Sequence, residues 1–167
     1  MNEDKNIVLI GMPGSGKTTL GKQLASRLGR TFVDADDFVV QLEGKTIADM
    51  FAVSEEYFRD AETRAAQELA KRRGLVVACG GGVIKRSVNI EIFKETGVVI
   101  FLDRSPDDIV TDVDVASRPL LKDGKQKVYD LYDERIALYC AAADYTIVND
   151  KKAEEILDEL VRLSESI

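Results

Sequence analysis

Residues 11–18 read Gly-Met-Pro-Gly-Ser-Gly-Lys-Thr, a complete GxxxxGK[ST] phosphate-binding loop. Apolar Ile7-Val8-Leu9-Ile10 stands before it as a short buried strand, and a helical pattern follows, with Leu20, Leu24, Ala25 and Leu28 on one face. Strand, loop and helix in that order constrain the fold more than any other feature of the chain. Gly11, Gly14 and Gly16 let the backbone turn tightly and bring its N–H groups, including those of Ser15 and Thr19, against phosphate oxygens. Lys17 can reach β- and γ-phosphates, and the Thr18 hydroxyl can take a place on Mg²⁺. The helix start adds unpaired N–H groups and partial positive charge. A Gly-rich turn with a surface Lys is the plain alternative, but it leaves the flanking strand and helix unexplained.

Strand-like runs occupy 6–11, 31–34, 74–79, 97–102 and 144–148. Helical patterns lie near 17–29, 37–43, 46–52, 54–73, 87–95, 105–112, 126–142 and 151–165. Continuous apolar runs such as Leu75-Val76-Val77-Ala78 and Val98-Val99-Ile100-Phe101 suit strands buried on both faces. Alternating strands and helices predict a parallel sheet covered on both sides, with ligands beyond the C-terminal strand ends. At 167 residues the chain suits one compact domain, 1–167. Its net charge of −7 argues against broad nucleic-acid binding. No apolar run is long enough to cross a bilayer, and Met1 to Lys5 carry no signal-peptide pattern, so a cytoplasmic protein is expected. Cys79 and Cys140 read as reduced, buried thiols. There is no histidine, so any general base is a carboxylate, Lys, Tyr or Cys.

Four constellations carry further chemistry. Asp34 and Asp36 follow the second strand, where one could hold Mg²⁺ through water and the other could orient or deprotonate a hydroxyl. Asp36 is equally placed to cap the next helix. Arg59, early in a long helix, could pair with Glu55 or Glu62 at helical spacing. Gly80-Gly81-Gly82 permits close backbone approach to a ligand, or is merely a flexible turn. Arg118, beside Pro119, could swing over a triphosphate, and Arg135 could clamp an anion or pair with its acidic neighbours.

Together these pieces resemble the shikimate kinases, over about residues 6–148. The phosphate loop, Asp34-x-Asp36, Gly44-Lys45-Thr46-Ile47-Ala48-Asp49-Met50-Phe51, Phe58-Arg59-x-x-Glu62, Gly80-Gly81-Gly82, Arg118-Pro119-Leu120-Leu121 and Arg135-x-x-Leu138-Tyr139 match that family's motifs in order. The resemblance implies a P-loop NTPase fold like that of nucleoside monophosphate kinases, its five parallel strands ordered 2-3-1-4-5. It implies transfer of the γ-phosphoryl of ATP to the 3-hydroxyl of shikimate. Asp36 and Lys17 would be catalytic. Gly14, Ser15, Gly16, Lys17, Thr18, Thr19 and Arg118 would hold ATP, and Asp36, Arg59, Gly80, Gly81, Gly82 and Arg135 would hold shikimate. Thr18, and Asp34 through water, would serve Mg²⁺. Segment 34–62 would be the substrate-binding part and 112–125 the lid of what is expected to be a monomer.

Two departures stand out. The family often has a Gly before its Phe-Arg, and the run Ala52-Val53-Ser54-Glu55-Glu56 has none and is a residue shorter, which leaves the placing of Arg59 open. Members also commonly carry an Arg near the adenine, seven residues before Arg118, where this chain has Thr111. The rival readings are a kinase of another polyol acid such as gluconate, whose kinases usually show a His in the substrate segment, and a nucleotide-binding regulator without phosphotransfer.

Overall fold

The computed structural model describes residues 4–112 and 124–167. Five strands, β1 (Asn6–Ile10), β2 (Thr31–Asp34), β3 (Leu75–Ala78), β4 (Gly97–Asp103) and β5 (Tyr145–Val148), form one sheet. All neighbours pair in parallel, in the order β2-β3-β1-β4-β5. The helices are α1 (Lys17–Leu28), α2 (Ala35–Glu43), α3 (Ile47–Val53), α4 (Glu55–Ala70), α5 (Ser87–Lys94), α6 (Pro106–Asp112), α7 (Gln126–Ala142) and α8 (Ala153–Ser166).

Side-chain alternation along β1 divides the core in two. Ile7 and Leu9 pack with Leu20 and Leu24 of α1 and with Ile156 and Leu160 of α8. Val8 and Ile10 face the other way, toward Leu69 of α4, Phe93 of α5 and Tyr139 of α7. Every residue of β1 is buried, which is why its sequence is an unbroken apolar run apart from Asn6. Asn6 is satisfied at that depth: its amide donates to the Arg72 carbonyl (2.9 Å) and its carbonyl accepts from the Leu75 N–H (2.9 Å).

The register carries the site. Leu9 and Asp34 both stand opposite Ala78, and Ile10 stands opposite Phe101. The C-terminal ends of β1, β2 and β3 therefore lie within a residue of one another, β4 runs two residues past the end of β1, and the segments leaving all four converge on one edge of the sheet. Helix α2 begins at Ala35, two residues earlier than its pattern suggests, because β2 runs straight into it. The Asp34 carboxylate caps it, accepting from the Asp37 N–H (3.1 Å). The cap is thus Asp34 and not Asp36. A small third cluster, Val39, Met50, Phe58, Ala61 and Ala65, joins α2, α3 and α4. Ser54 ends α3 and begins α4, its hydroxyl accepting from the Tyr57 N–H (2.9 Å).

Candidate active site

A cavity of about 900 Å³ opens at the C-terminal strand ends. The phosphate loop forms one side. Gly14 and Gly16 take positive φ (85° and 100°), which turns successive amides to the same side and makes an anion-binding nest. Lys17 folds back over the loop, its ammonium donating to the carbonyls of Gly11 (2.7 Å) and Met12 (2.9 Å). Burial pulls its pKa down to about 8, against the opposing pull of Asp36 and Asp34. The Thr18 hydroxyl lies 3.4 Å from Asp34 Oδ2, so the two oxygens of the expected metal shell share one corner of the cavity.

Opposite the loop lie Asp36, Arg59, Glu62 and Arg135. Burial pushes the Asp36 carboxyl above the usual range, and the neighbouring Asp34 charge adds to it. Arg59 donates to Glu62 Oε1 (2.9 Å), with both side chains largely buried. Burial also raises the Glu62 carboxyl, and the Arg59 charge opposes this. The guanidinium of Arg59 sits over the Phe58 ring at 5.1 Å. The Nε atoms of Arg59 and Arg135 are both buried and have no hydrogen-bond partner among the described residues. A buried N–H without an acceptor is costly, so two in one cavity point to an absent anion.

The three glycines between these groups have ordinary φ; closeness is what demands them. A Cβ on Gly80 would lie 2.7 Å from Asp36 Oδ1, and one on Gly82 would lie 2.6 Å from both terminal nitrogens of Arg59. A Cβ on Gly81 would meet Pro13 at 2.9 Å and Arg135 at 3.1 Å. The loop is held rather than slack: the Tyr139 hydroxyl donates to the Gly81 carbonyl (2.6 Å), and the buried Asn89 amide donates to the Val83 carbonyl (3.0 Å).

The structure thus brings Gly14, Gly16, Lys17, Thr18, Thr19, Asp34, Asp36, Arg59, Gly80, Gly81, Gly82 and Arg135 to one cavity. Ser15 is fully buried within the loop itself. Arg118 and most of segment 112–125 lie outside the described residues. Thr111 is described: it is exposed and donates to the Asp107 carbonyl (2.8 Å) along its own helix. Three groups escaped the sequence reading. Lys85, paired with Glu55 (3.2 Å), lines the cavity mouth. Arg104 and Asn149 touch the phosphate loop. Both follow the last residues of strands, the position from which open α/β sheets draw their ligand contacts, and that rule could have found them.

A phosphate loop on the central strand of a 2-3-1-4-5 parallel sheet, facing an acceptor pocket with a carboxylate and two arginines, defines a phosphotransferase of the nucleoside-monophosphate-kinase type. A family model for shikimate kinase matches residues 13–165. Shikimate kinases from Clostridium beijerinckii and Clostridium botulinum (strain Alaska E43 / Type E3) are 44% and 41% identical to this chain. The first alignment covers 92% of this chain and 91% of the relative, the second 94% and 95%. The solved shikimate kinase from Acinetobacter baumannii in complex with shikimate superposes with a TM-score of 0.87 at 36% identity, covering 97% of this chain and 93% of that one. The shikimate kinase from Bacteroides thetaiotaomicron gives 0.86 at 28% identity, covering 96% and 98%. This chain belongs to the shikimate kinase family. Among the described residues no helix is long and apolar enough to cross a membrane.

Proposed function

We propose that this chain phosphorylates the 3-hydroxyl of shikimate from ATP, giving shikimate 3-phosphate and ADP. The observation that carries the reading is the pair of buried, unpartnered Nε atoms of Arg59 and Arg135, across one cavity from a phosphate loop. A planar guanidinium matches a carboxylate with two parallel hydrogen bonds, and a small hydroxy acid offers that carboxylate. Asp36, beside Gly80, is the acceptor-side base. Burial and the Asp34 charge raise its pKa, which makes it a better proton acceptor.

In the transfer, the acceptor oxygen attacks the γ-phosphorus, the bond to the β,γ-bridging oxygen breaks, and the hydroxyl proton passes to Asp36. Most of the acceleration comes from alignment and charge neutralisation, as is general for phosphoryl transfer. Lys17 and the amides of the loop neutralise the phosphates, and Arg118 joins them. Thr18 and Asp34 suit Mg²⁺, which favours a hard oxygen set of one or two protein ligands completed by phosphate and water. Bound there, the ion would neutralise charge on the β- and γ-phosphoryl oxygens. The 34–62 segment would act as the acceptor-binding part of a single domain and 112–125 as its lid. Two unpaired thiols, Cys79 buried and Cys140 exposed, suit a reducing compartment such as the cytoplasm.

A coupled ADP-release assay over shikimate, gluconate and nucleoside monophosphates tests the reading. Shikimate is expected to give the highest kcat/KM. A better rate with gluconate or a nucleotide would move the acceptor assignment. No acceptor-dependent ADP release at all would favour a regulator.

A further inference from the structure

A loop that turns its amides toward phosphate must turn its carbonyls away, and each of those carbonyls needs a donor. The structure shows where the donors come from. The carbonyls of Gly11 and Met12 accept from Lys17, and that of Gly16 accepts from the Leu20 N–H inside α1 (2.9 Å). The carbonyls of Gly14 and Ser15, at the crown of the loop, are served from outside it. Arg104 Nη1 donates to Gly14 (3.0 Å), and Asn149 Nδ2 donates to Ser15 (2.8 Å).

Both donors are themselves fixed. Arg104 directly follows β4, is mostly buried, and its other terminal nitrogen pairs with Asp112 at the end of α6. Asn149 directly follows β5, and its backbone N–H donates to the Asp103 carbonyl (2.8 Å). The Asn149 amide also lies close to Gly16: a Cβ there would be 3.2 Å from Nδ2. β4, which pairs with β1, and β5 beyond it thus each lead into a residue whose side chain returns to the loop.

We propose that Arg104 and Asn149 are positioning residues that form an outer brace of the phosphate loop: the Gly14–Ser15 peptide is fixed at both ends, its carbonyl by Arg104 and its N–H by the Met12 carbonyl (3.0 Å), and Asn149 holds the Ser15–Gly16 peptide so that the Gly16 N–H faces the β- and γ-phosphates. The brace acts through the loop. Its effect therefore falls on nucleotides that carry a β-phosphate, spares those that lack one, and spares the acceptor pocket. The inference rests on the nucleotide half of the function proposed above and is independent of which acid is phosphorylated.

The test is binding by calorimetry of ADP, and of AMP by competition, to the full chain and to two near-isosteric variants, Asn149→Leu and Arg104→Met, with shikimate binding and Tm measured beside them. Removing one donor from a part-buried carbonyl should raise the Kd for ADP roughly tenfold. The Kd values for AMP and shikimate should stay within about twofold. Arg104→Lys keeps a donor of similar reach and should recover most of the ADP affinity. Unchanged ADP affinity in both variants overturns the brace. Equal losses for ADP and AMP overturn it by making these residues contacts to the base or ribose. Parallel losses of ADP affinity, shikimate affinity and Tm overturn it by making them general fold residues. If the wild-type chain binds ADP but not shikimate, the acceptor assignment fails and the ADP and AMP comparison still decides the brace.

Discussion

Asp36 stands in the first turn of α2 with its carboxylate against Gly80, while Asp34 takes the cap. That division leaves Asp36 without the capping duty, as the role of base proposed for it requires. Asp36→Asn is expected to lower kcat by roughly 10²–10⁴ with little change in ATP binding, read by steady-state kinetics and calorimetry. Arg135→Lys should raise the KM for shikimate far more than that for ATP, since an ammonium cannot copy the guanidinium fork. Lys17 gives a pH prediction. Its pKa near 8 in the free protein lies below the ordinary 10.5 because burial disfavours the ammonium. Bound phosphate favours the ammonium and raises that pKa. Binding of ADP should therefore take up protons near pH 8 to 9, and its affinity should fall as pH rises past about 8. Calorimetry in buffers of different ionisation enthalpy would count those protons; no uptake would mean that Lys17 is already fully charged. For this group alone, the unfolded chain binds more protons between about 8 and 10.5, so the ligand-free fold gains stability as pH rises through that window.

At the scale of the element, the sequence was legible wherever pattern and caps agreed. The five strands fall within a residue of the predicted runs; β1, β3 and β4 are inner strands buried along nearly their whole length, which leaves little room for polar residues, whereas the edge strands β2 and β5 are only partly covered. Helix α2 was misplaced at its start because two carboxylates two residues apart both suit a cap, and only the strand's end point chooses between them. The Gly80–Gly82 run could be read as a hinge or as a fitted surface. What separates the two is the approach of Asp36 from α2 and Arg59 from α4, and no local pattern shows that. Arg104 and Asn149 were hidden for the same reason: an Arg after a strand is ordinary until its neighbour across the sheet is known. Helix α6 carries the other departure. Thr111 turns its hydroxyl onto its own helix, whereas Arg104, at the foot of that helix, lines the cavity. Thr111→Arg should still add a planar cation at the end of α6, tighten ATP binding severalfold, and sharpen the preference for ATP over GTP with little effect on shikimate. Calorimetry on the two proteins checks this, and an unchanged ATP affinity would place position 111 away from the base.

Across the whole molecule, one register does most to organise function. Three strands end within a residue of one another and β4 two residues beyond, and their exits deliver the phosphate loop, the Asp34–Asp36 turn, the glycine run and Arg104 to a common edge. The cavity they enclose is lined by five cationic and four anionic side chains, in a chain whose overall charge is −7. Among the described residues the cavity is thus nearly balanced in charge, less negative than the chain as a whole, which suits the two anionic substrates proposed for it. The residues of the proposed site that the structure describes all come from one chain, and we propose a monomer. Light scattering should give a mass near 18.5 kDa, and a value near twice that would refute it.

The junction at Ser54 bears on how such an enzyme can change over evolutionary time. One extended residue serves as the last cap of α3 and the first cap of α4, so there is no connecting loop whose length could drift. An insertion would have to divide the two duties between two residues. It could alter how α3 ends, but the hydroxyl-to-Tyr57 bond would still set where α4 begins, and Arg59 stands two residues further on. The short form gives up adaptability at that corner, and an engineer shortening or lengthening it should expect to change the fit around Phe51 before disturbing the grip of Arg59.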